Sequence, residues 1–357
     1  ADLPVVLVRS HEFNYSETFV EDHVNHLTKN LTVLYGHPFP RFLKGGRSVL
    51  PEAVEQSVKS AIATGGTGSA ELWGAYTAGL AAYFRTCGAR VALVETGLMG
   101  AYVNEACVRA ALPYVVHFHG LDAFGRELLE RWHSQYRNFF ATAAQLIVVS
   151  KAMRTQLIAL GAPAERVVLA PYGVEVELPV LADPAKSEPQ FIAVGRFVEK
   201  KGPHVTLRAF AAVQQRVPSA RLVMIGDGPL LRPCQEWVEK SGLAGAVTFA
   251  GVQSRAEVSR QMAASRAFVQ HSMTATNGDS EGLPLAVLEA GAHGLPVIST
   301  NWTGHEYMGT AGKHFVTVPF DDRTTMTISG GRFVRSANLS NYQFTNNSFL
   351  MGVSWRF

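Results

Sequence analysis

Residues 278–291 read GDSEGLPLAVLEAG and carry two carboxylates, Glu281 and Glu289, on either side of a Gly-Leu-Pro and a short apolar run. On one continuous helix, eight steps of about 100° would leave them roughly 80° apart and more than two turns distant. Pro284 argues against that picture. Proline is best tolerated at the first helical position, so the helix is expected to start there, with Glu281 in the loop before it. One carboxylate then stands beside the open N–H groups of a helix start and the other on the helix wall, a corner suited to a ligand with both a phosphate and hydroxyls. The plainer alternative has Glu281 only capping the helix and Glu289 pairing with a surface lysine. An unpaired carboxylate inside LPLAVLEAGA would cost several kcal/mol or shift its pKa, which weighs against it.

The elements that must hold these residues show in the periodicity. LPVVLV (3–8), LTVLYG (31–36), RVALVE (90–95), PYVVHF (113–118) and QLIVVS (145–150) are short β-branched runs with helical patterns between them, such as SETFVEDHVNHLTKN and SKAMRTQLIALG. This alternation predicts a doubly wound parallel sheet. Residues 179–189 hold three prolines and little that could pack, and read as a linker. A second alternating series follows: FIAVGRF, a helix over VTLRAFAAVQQRV, RLVMIGDG, VTFAGV, a helix over RAEVSRQMAAS, AFVQHS, the helix bearing Glu289, and PVIST. The expected architecture is α/β, two Rossmann-like domains over residues 1–178 and 190–322 facing a ligand cleft at the carboxyl ends of both sheets.

Composition narrows the function. With 357 residues, 47% hydrophobic and 17% charged, the chain can bury two cores. A net charge of +3 is too small to imply nucleic acid. Arg41, Lys44 and Arg47 could touch acidic lipid head groups, but a solvated loop is the simpler expectation. Cys87, Cys107 and Cys234 are odd in number and scattered, which argues for a reducing compartment, so a cytoplasmic protein is expected. No run of 18 apolar residues suggests a spanning helix, and ADLPVVLVRS reads as a first strand. IATGGTGSAELWG (62–74) is glycine-rich but lacks the Gly-Lys-Ser/Thr ending of a P-loop and reads as a flexible loop. GDGP (226–229) reads as a structural strand-to-turn feature.

VGRFVEKKG (194–202), MIGDGPL (224–230), TFAGV (248–252) and EGLPLAVLEAGAHGLPVIST (281–300) resemble, in order and spacing, the retaining nucleotide-sugar-dependent glycosyltransferases of GT-B fold, glycosyltransferase family four. SETFVEDHVNHL (16–27), VHFHGLDAF (116–124) and residues 148–175 look like first-domain counterparts, so the resemblance spans about residues 1–322. It implies that Arg196 and Lys201, after the strand end at Gly195, grip the diphosphate of the donor. The fork of Arg suits two phosphate oxygens, while Lys adds a mobile point charge. Alone, the two would read as solvated charges at a strand end. Together they could replace a metal, and no convincing Asp-x-Asp motif is present: Asp321 and Asp322 are adjacent and lie outside the matched core. No metal and no cofactor are expected beyond the nucleotide sugar itself.

By the same resemblance Glu289 accepts hydrogen bonds from the ribose hydroxyls. Glu281 stands by the transferred sugar, with the backbone of Gly282, Leu283 and Pro284 around it. His119, at a strand end, is a candidate to hydrogen-bond the donor sugar. His117, two residues earlier, is placed on the opposite face, and Asp122 is expected to anchor the loop. Ser16, Glu17 and Thr18 resemble a loop that approaches acceptor or donor phosphates, although Ser16 as a helix N-cap would explain them equally well. Retention of configuration is implied by the resemblance alone.

Two departures stand out. TGHEYM (303–308) replaces a glycine-rich loop ending in Pro-Glu, with Glu306 in the Glu position. From Arg323 the usual closing helices give way to ISGGRFVRSANLSNYQFTNNSFLMGVSWRF, which alternates like strands around a turn-like TNNS and resembles the closing strand of bacterial outer-membrane barrels. Two strands cannot close a barrel, since barrels need at least about eight. An added hairpin, a poorly ordered appendage, or a joint between unrelated coding segments would each account for the tail; the joint is favoured. The expected function is transfer of a sugar to a carbohydrate, lipid-linked or small-molecule acceptor, with possible peripheral membrane contact. The rivals are a non-catalytic or truncated nucleotide-sugar-binding remnant and a sugar-nucleotide epimerase of similar architecture.

Overall fold

The computed structural model describes residues 3–174 and 180–300 together with three later strands, 315–321, 324–336 and 343–355. The chain divides into two compact units, Ala1–Ala170 and Pro171–Phe357. Unit 1 carries strands β1 (Val5–Arg9), β2 (Leu31–Tyr35), β3 (Phe42–Leu43), β4 (Arg47–Ser48), β5 (Val91–Glu95), β6 (Tyr114–Phe118), β7 (Gln145–Val148) and β8 (Val167–Leu169). Their order is β4-β3-β2-β1-β5-β6-β7-β8, parallel from β2 to β8, with β3 and β4 antiparallel at the edge. Every residue of β1 is buried, as a strand covered by helices on both faces requires. The chain departs from β1 to β2 on one side and returns to β5 on the other, so the switch point of this sheet lies between β1 and β5.

Unit 2 repeats the plan with β9 (Gln190–Val194), β10 (Arg221–Ile225), β11 (Val247–Gly251), β12 (Ala267–Gln270) and β13 (Val297–Thr300), in the order β11-β10-β9-β12-β13 and all parallel. Its switch point lies between β9 and β12. The LVMI run of β10 serves two cores. Leu222 and Met224 pack with Phe197, Leu207, Phe210 and Val238, and Val223 and Ile225 pack with Ile192, Met262, Phe268 and Val287. Alternation across a sheet covered on both faces therefore appears in sequence as an unbroken apolar stretch. Each such side chain contributes roughly 1.5–3 kcal/mol of burial.

Strands β14 (Phe315–Asp321), β15 (Thr324–Ser336) and β16 (Gln343–Trp355) continue this sheet, β16 lying parallel to β13 and antiparallel to β15. The turn-like TNNS lies inside β16. Asn346 and Asn347 stand opposite Phe333 and Arg332, and pairing continues on both sides of them, so TNNS is not a turn. TGHEYM, with Glu306, lies outside the described residues.

Three expectations for the loops and helix ends of unit 1 need correction. IATGGTGSAELWG is mostly helix ends: Glu52–Thr64 closes on Gly65 in the left-handed region, and Ser69 caps Ala70–Thr86 by accepting from Leu72 N–H. Arg41 is not a solvated charge. It is buried, donates through Nε to Glu55 at 3.0 Å, and donates through Nη1 to the carbonyls of Pro38 and Phe39. Lys44 and Arg47 do remain exposed. Ser16 does not cap the helix Thr18–His26. Glu17 is the N-cap, and the Ser16 hydroxyl donates to Asn14 Oδ1 at 2.9 Å. Cys87, Cys107 and Cys234 are free thiols. Among the described residues no helix is long and apolar enough to cross a membrane.

Candidate functional site

In unit 2 the GDGP turn and the end of β9 hold each other through the backbone. Gly195 N–H donates to the Ile225 carbonyl at 2.9 Å, Phe197 N–H to Asp227 at 2.8 Å, and Leu230 N–H to Phe197 at 2.9 Å. The chain then makes a single 3₁₀ turn, Glu199–Lys201, and passes Gly202 at φ +48° into the helix Pro203–Arg216. A Cβ on Gly202 would come within 2.2 Å of His271 Cδ2, so close approach as well as backbone angle selects glycine there.

Three consecutive side chains of this turn grip the loop that leads to the Glu289 helix. Thr276 Oγ1 donates to Glu199 Oε1 at 2.5 Å. Lys200 Nζ lies 3.0 Å from Asp279 Oδ1, and Lys201 Nζ lies 3.0 Å from Glu281 Oε1. Met273 N–H donates to the Lys200 carbonyl. Sequence reasoning passed over Asp279 and Lys200. Their signal was an acid two residues before Glu281 and a lysine immediately before Lys201, which is the same spacing problem seen from both ends.

Glu281 is 5% exposed. Burial pushes its carboxyl up, but Lys201, Lys200 and Arg196 together outweigh burial and hold it below the ordinary value. Gly195, Arg196 and Lys201 line one recess at the carboxyl ends of β9, β10 and β12, with Phe197, Thr206 and Gln270. Arg196 is exposed there, and the Lys201 stem lies 3.5 Å from where a Gly195 Cβ would be. Burial, then the charge of His204, lowers the His271 imidazole to about 4, so it adds no charge at neutral pH.

The lowered Glu281 pKa has a consequence for stability. The stabilisation is present above the unfolded value of 4.5 and is lost as pH falls through the lower folded value. The unfolding midpoint of Glu281→Gln should therefore trail that of the native chain at pH 7, with the gap closing below about pH 4. A gap that stays constant in urea titrations from pH 7 to pH 3 would contradict the pairing.

Pro284 is the N-cap of the helix Leu285–Ala292 rather than its first residue, one position from the expectation, because its ψ of 101° is extended. Glu281 does lie in the loop before the helix, where its carboxylate meets Lys201 Nζ. Gly282, Leu283 and Pro284 are buried around it. Glu289 is half-buried on the helix wall, where its carbonyl accepts from His293 N–H and Nδ1.

In unit 1, Asp122 anchors the loop after β6 as expected. Oδ1 accepts from the N–H groups of His119 and Gly120 at 3.0 and 2.9 Å, and Oδ2 accepts from Gly97 at 2.8 Å, tying this loop to the end of β5. Asp122→Ala would strand buried amides and should cost about 3 kcal/mol or more in urea unfolding. A loss under about 1 kcal/mol would rule out the anchoring role.

His117 does not occupy the opposite face from His119. Residues two apart share a face of a strand, and the two rings lie 4.4 Å apart, both against Glu95. Glu95 also meets His23 Nδ1 at 2.7 Å. Burial pushes the Glu95 carboxyl up, but the bonds from His117, His119 and His23 overcome it and hold the group well below the carboxylate range. Glu95 and His23 were not singled out from the sequence. The acid closing RVALVE was the available signal. Arg9, closing β1, is likewise buried and pairs with Glu21 at 2.7 Å.

Residues 24–173 match the family model described as Glycosyl transferase 4-like domain, and residues 182–325 the one described as Glycosyl transferases group 1. The chain is therefore built from the two domains of a group 1 glycosyltransferase with the GT-B fold. Among curated proteins it is 32% identical over 220 residues to the amylovoran biosynthesis glycosyltransferase AmsK of Erwinia amylovora, covering 60% of this chain and 54% of that one. It is 30% identical over 168 residues to a GDP-mannose-dependent phosphatidylinositol monomannoside mannosyltransferase of Mycobacterium tuberculosis, covering 44% and 43%. The chain spans about half the length of these relatives. In fold it resembles Anabaena HepE, solved with UDP and glucose, at a TM-score of 0.65 and 18% identity over 87% of this chain and 84% of that one. It also resembles the lipopolysaccharide galactosyltransferase WaaB, at 0.56 and 16% over 84% and 81%.

Proposed function

We propose that the chain is a retaining glycosyltransferase that moves a sugar from a nucleotide-diphosphate sugar to a carbohydrate, lipid-linked or small-molecule acceptor, with no metal at the diphosphate. The observation that carries this reading is Lys201 beside Glu281 at 3.0 Å, in the loop system whose recess also holds Arg196 and Gly195. Arg196 and Lys201 neutralise the charge that gathers on the departing diphosphate, where fixed cations act without reorganising. Before donor arrives, Glu281 keeps the lysine aimed into the recess. Glu289 accepts hydrogen bonds from the ribose hydroxyls, and His119 binds the donor sugar. Ser16 and Glu17 serve the acceptor side.

In the transfer, the bond from the anomeric carbon to the diphosphate oxygen breaks, and a new bond forms to the acceptor oxygen on the same face. The acceptor proton passes to the leaving phosphate, so no separate base is needed and Glu281 acts by charge and orientation. Work in the cytoplasm with peripheral membrane contact is part of the same reading; the relative named for a phosphatidylinositol monomannoside acceptor supports the membrane contact.

The test is a panel of UDP-, GDP- and ADP-sugars, read by binding and by nucleotide release with and without acceptor. Release that depends on acceptor, with the anomeric configuration kept in the product, supports the proposal. Binding without release points to a non-catalytic binding protein. Conversion of a donor without acceptor points to an epimerase.

A further inference from the structure

Glu95 is the last residue of β5, 1% exposed, and lies at the switch point of unit 1, where α/β sheets bind ligands. Imidazoles from two other elements converge on its carboxylate. His23, on the helix Thr18–His26, brings Nδ1 to 2.7 Å from Oε1. His117, on β6, brings Nδ1 to 3.4 Å from Oε2, and His119, one residue past β6, brings Nε2 to 2.8 Å from the same oxygen. One donor atom each from His23, Glu95 and His117 lies within 4.8 Å of the others.

We propose that His23, Glu95 and His117 form a binding site for a divalent transition-metal ion of the zinc class, held within unit 1. Two imidazoles and one carboxylate are a donor set of borderline softness, suited to zinc and its neighbours rather than to calcium or magnesium, which prefer oxygen alone. Zinc bonds of about 2.0–2.2 Å in a tetrahedron set ligand atoms roughly 3.3 Å apart. His117 Nδ1 and His23 Nδ1 lie 3.4 and 2.7 Å from different oxygens of Glu95, and one ligand atom from each of the three residues falls within 4.8 Å of the others, so side-chain rotations bring the three to that spacing. The ligands come from three successive parts of the sheet and its first helix, so the fold assembles the site without any local ligand motif. Water would take the fourth position, which leaves the His119 ring to the role proposed above. Entry runs past His23, whose side chain is 27% exposed while the other two ligands are covered. Imidazole protons bonded to the carboxylate are the competing occupants, and a metal must displace them to bind.

The untagged chain, stripped by a chelating resin, is titrated with Co²⁺ and Zn²⁺ at micromolar protein. One equivalent of Co²⁺ should bind with the visible absorption of a low-symmetry four-coordinate ion, and Zn²⁺ should bleach it. His23→Ala should weaken binding at least about tenfold with an unchanged circular dichroism spectrum. His26→Ala, exposed on the same helix, should leave it intact. Glu95→Gln should abolish the signal. If that variant does not fold, the partly exposed His23 decides. No cobalt absorption, or equal affinity in the native chain and His23→Ala, would overturn the site and leave Glu95 as the centre of a proton-bonded cluster.

Discussion

Lys201→Ala is expected to slow sugar transfer about 10²–10³-fold at saturating donor, the loss typical of removing one preorganised group that meets transition-state charge. The variant also strands Glu281, which is 5% exposed. Leaving a buried charge without its partner commonly costs roughly 3–5 kcal/mol, but Lys200 and Arg196 still act on this carboxylate, so the stability loss should fall below that range. The two effects can be separated. Lys201→Met combined with Glu281→Gln removes both charges at similar volume and should recover most of the stability while leaving the rate low. If the double variant recovers rate along with stability, Lys201 is a structural cation and the diphosphate role assigned to it is wrong. Lys201→Arg should retain part of the rate, since a planar fork replaces a mobile point charge on a similar stem.

The framework of both units could be read from the chain because a parallel strand covered on both faces needs no alternation to announce itself. VVLV, VALV and LVMI each became an interior strand of its sheet. Strands β3 and β4 could not be read this way. Two residues each offer no period, and the Arg41 just before β3 meets its partner Glu55 fourteen positions away, beyond the reach of any local pattern. At the diphosphate corner, the motif pointed to Lys201 and Glu281, while the neighbouring pair stayed hidden. Lys200 and Lys201 are identical in type, and only the left-handed turn at Gly202 and the course of loop 272–284 decide that one meets Asp279 and the other Glu281. The histidines show a different failure. A period of two already places His117 beside His119, and the acid they share sits on the adjacent strand, whose register with β6 pairs Glu95 with His117.

Gly226→Ala is expected to destabilise unit 2 by about 3 kcal/mol or more, a cost in the range of severe backbone and overpacking defects. The added Cβ would lie 2.1 Å from the Gly195 carbonyl oxygen and 2.9 Å from its carbon, at a φ of +134° that L-residues rarely adopt. Neither partner can yield cheaply. Gly195 N–H is bonded to the Ile225 carbonyl and Gly226 N–H to Gly251, so relief requires opening the carboxyl ends of β9, β10 and β11 together. That movement would carry Gly195 and Arg196 out of register with the turn that bears Lys201, and donor affinity should fall with stability. Gly242→Ala is the control. Its φ of +70° imposes the left-handed penalty of about 1–2 kcal/mol, but nothing lies within 4 Å of the new methyl. Urea unfolding and donor titration of the two variants then separate backbone angle from collision. Should Gly226→Ala cost no more than Gly242→Ala and bind donor normally, the close crossing of the GDGP turn over Gly195 would not be what fixes the diphosphate corner.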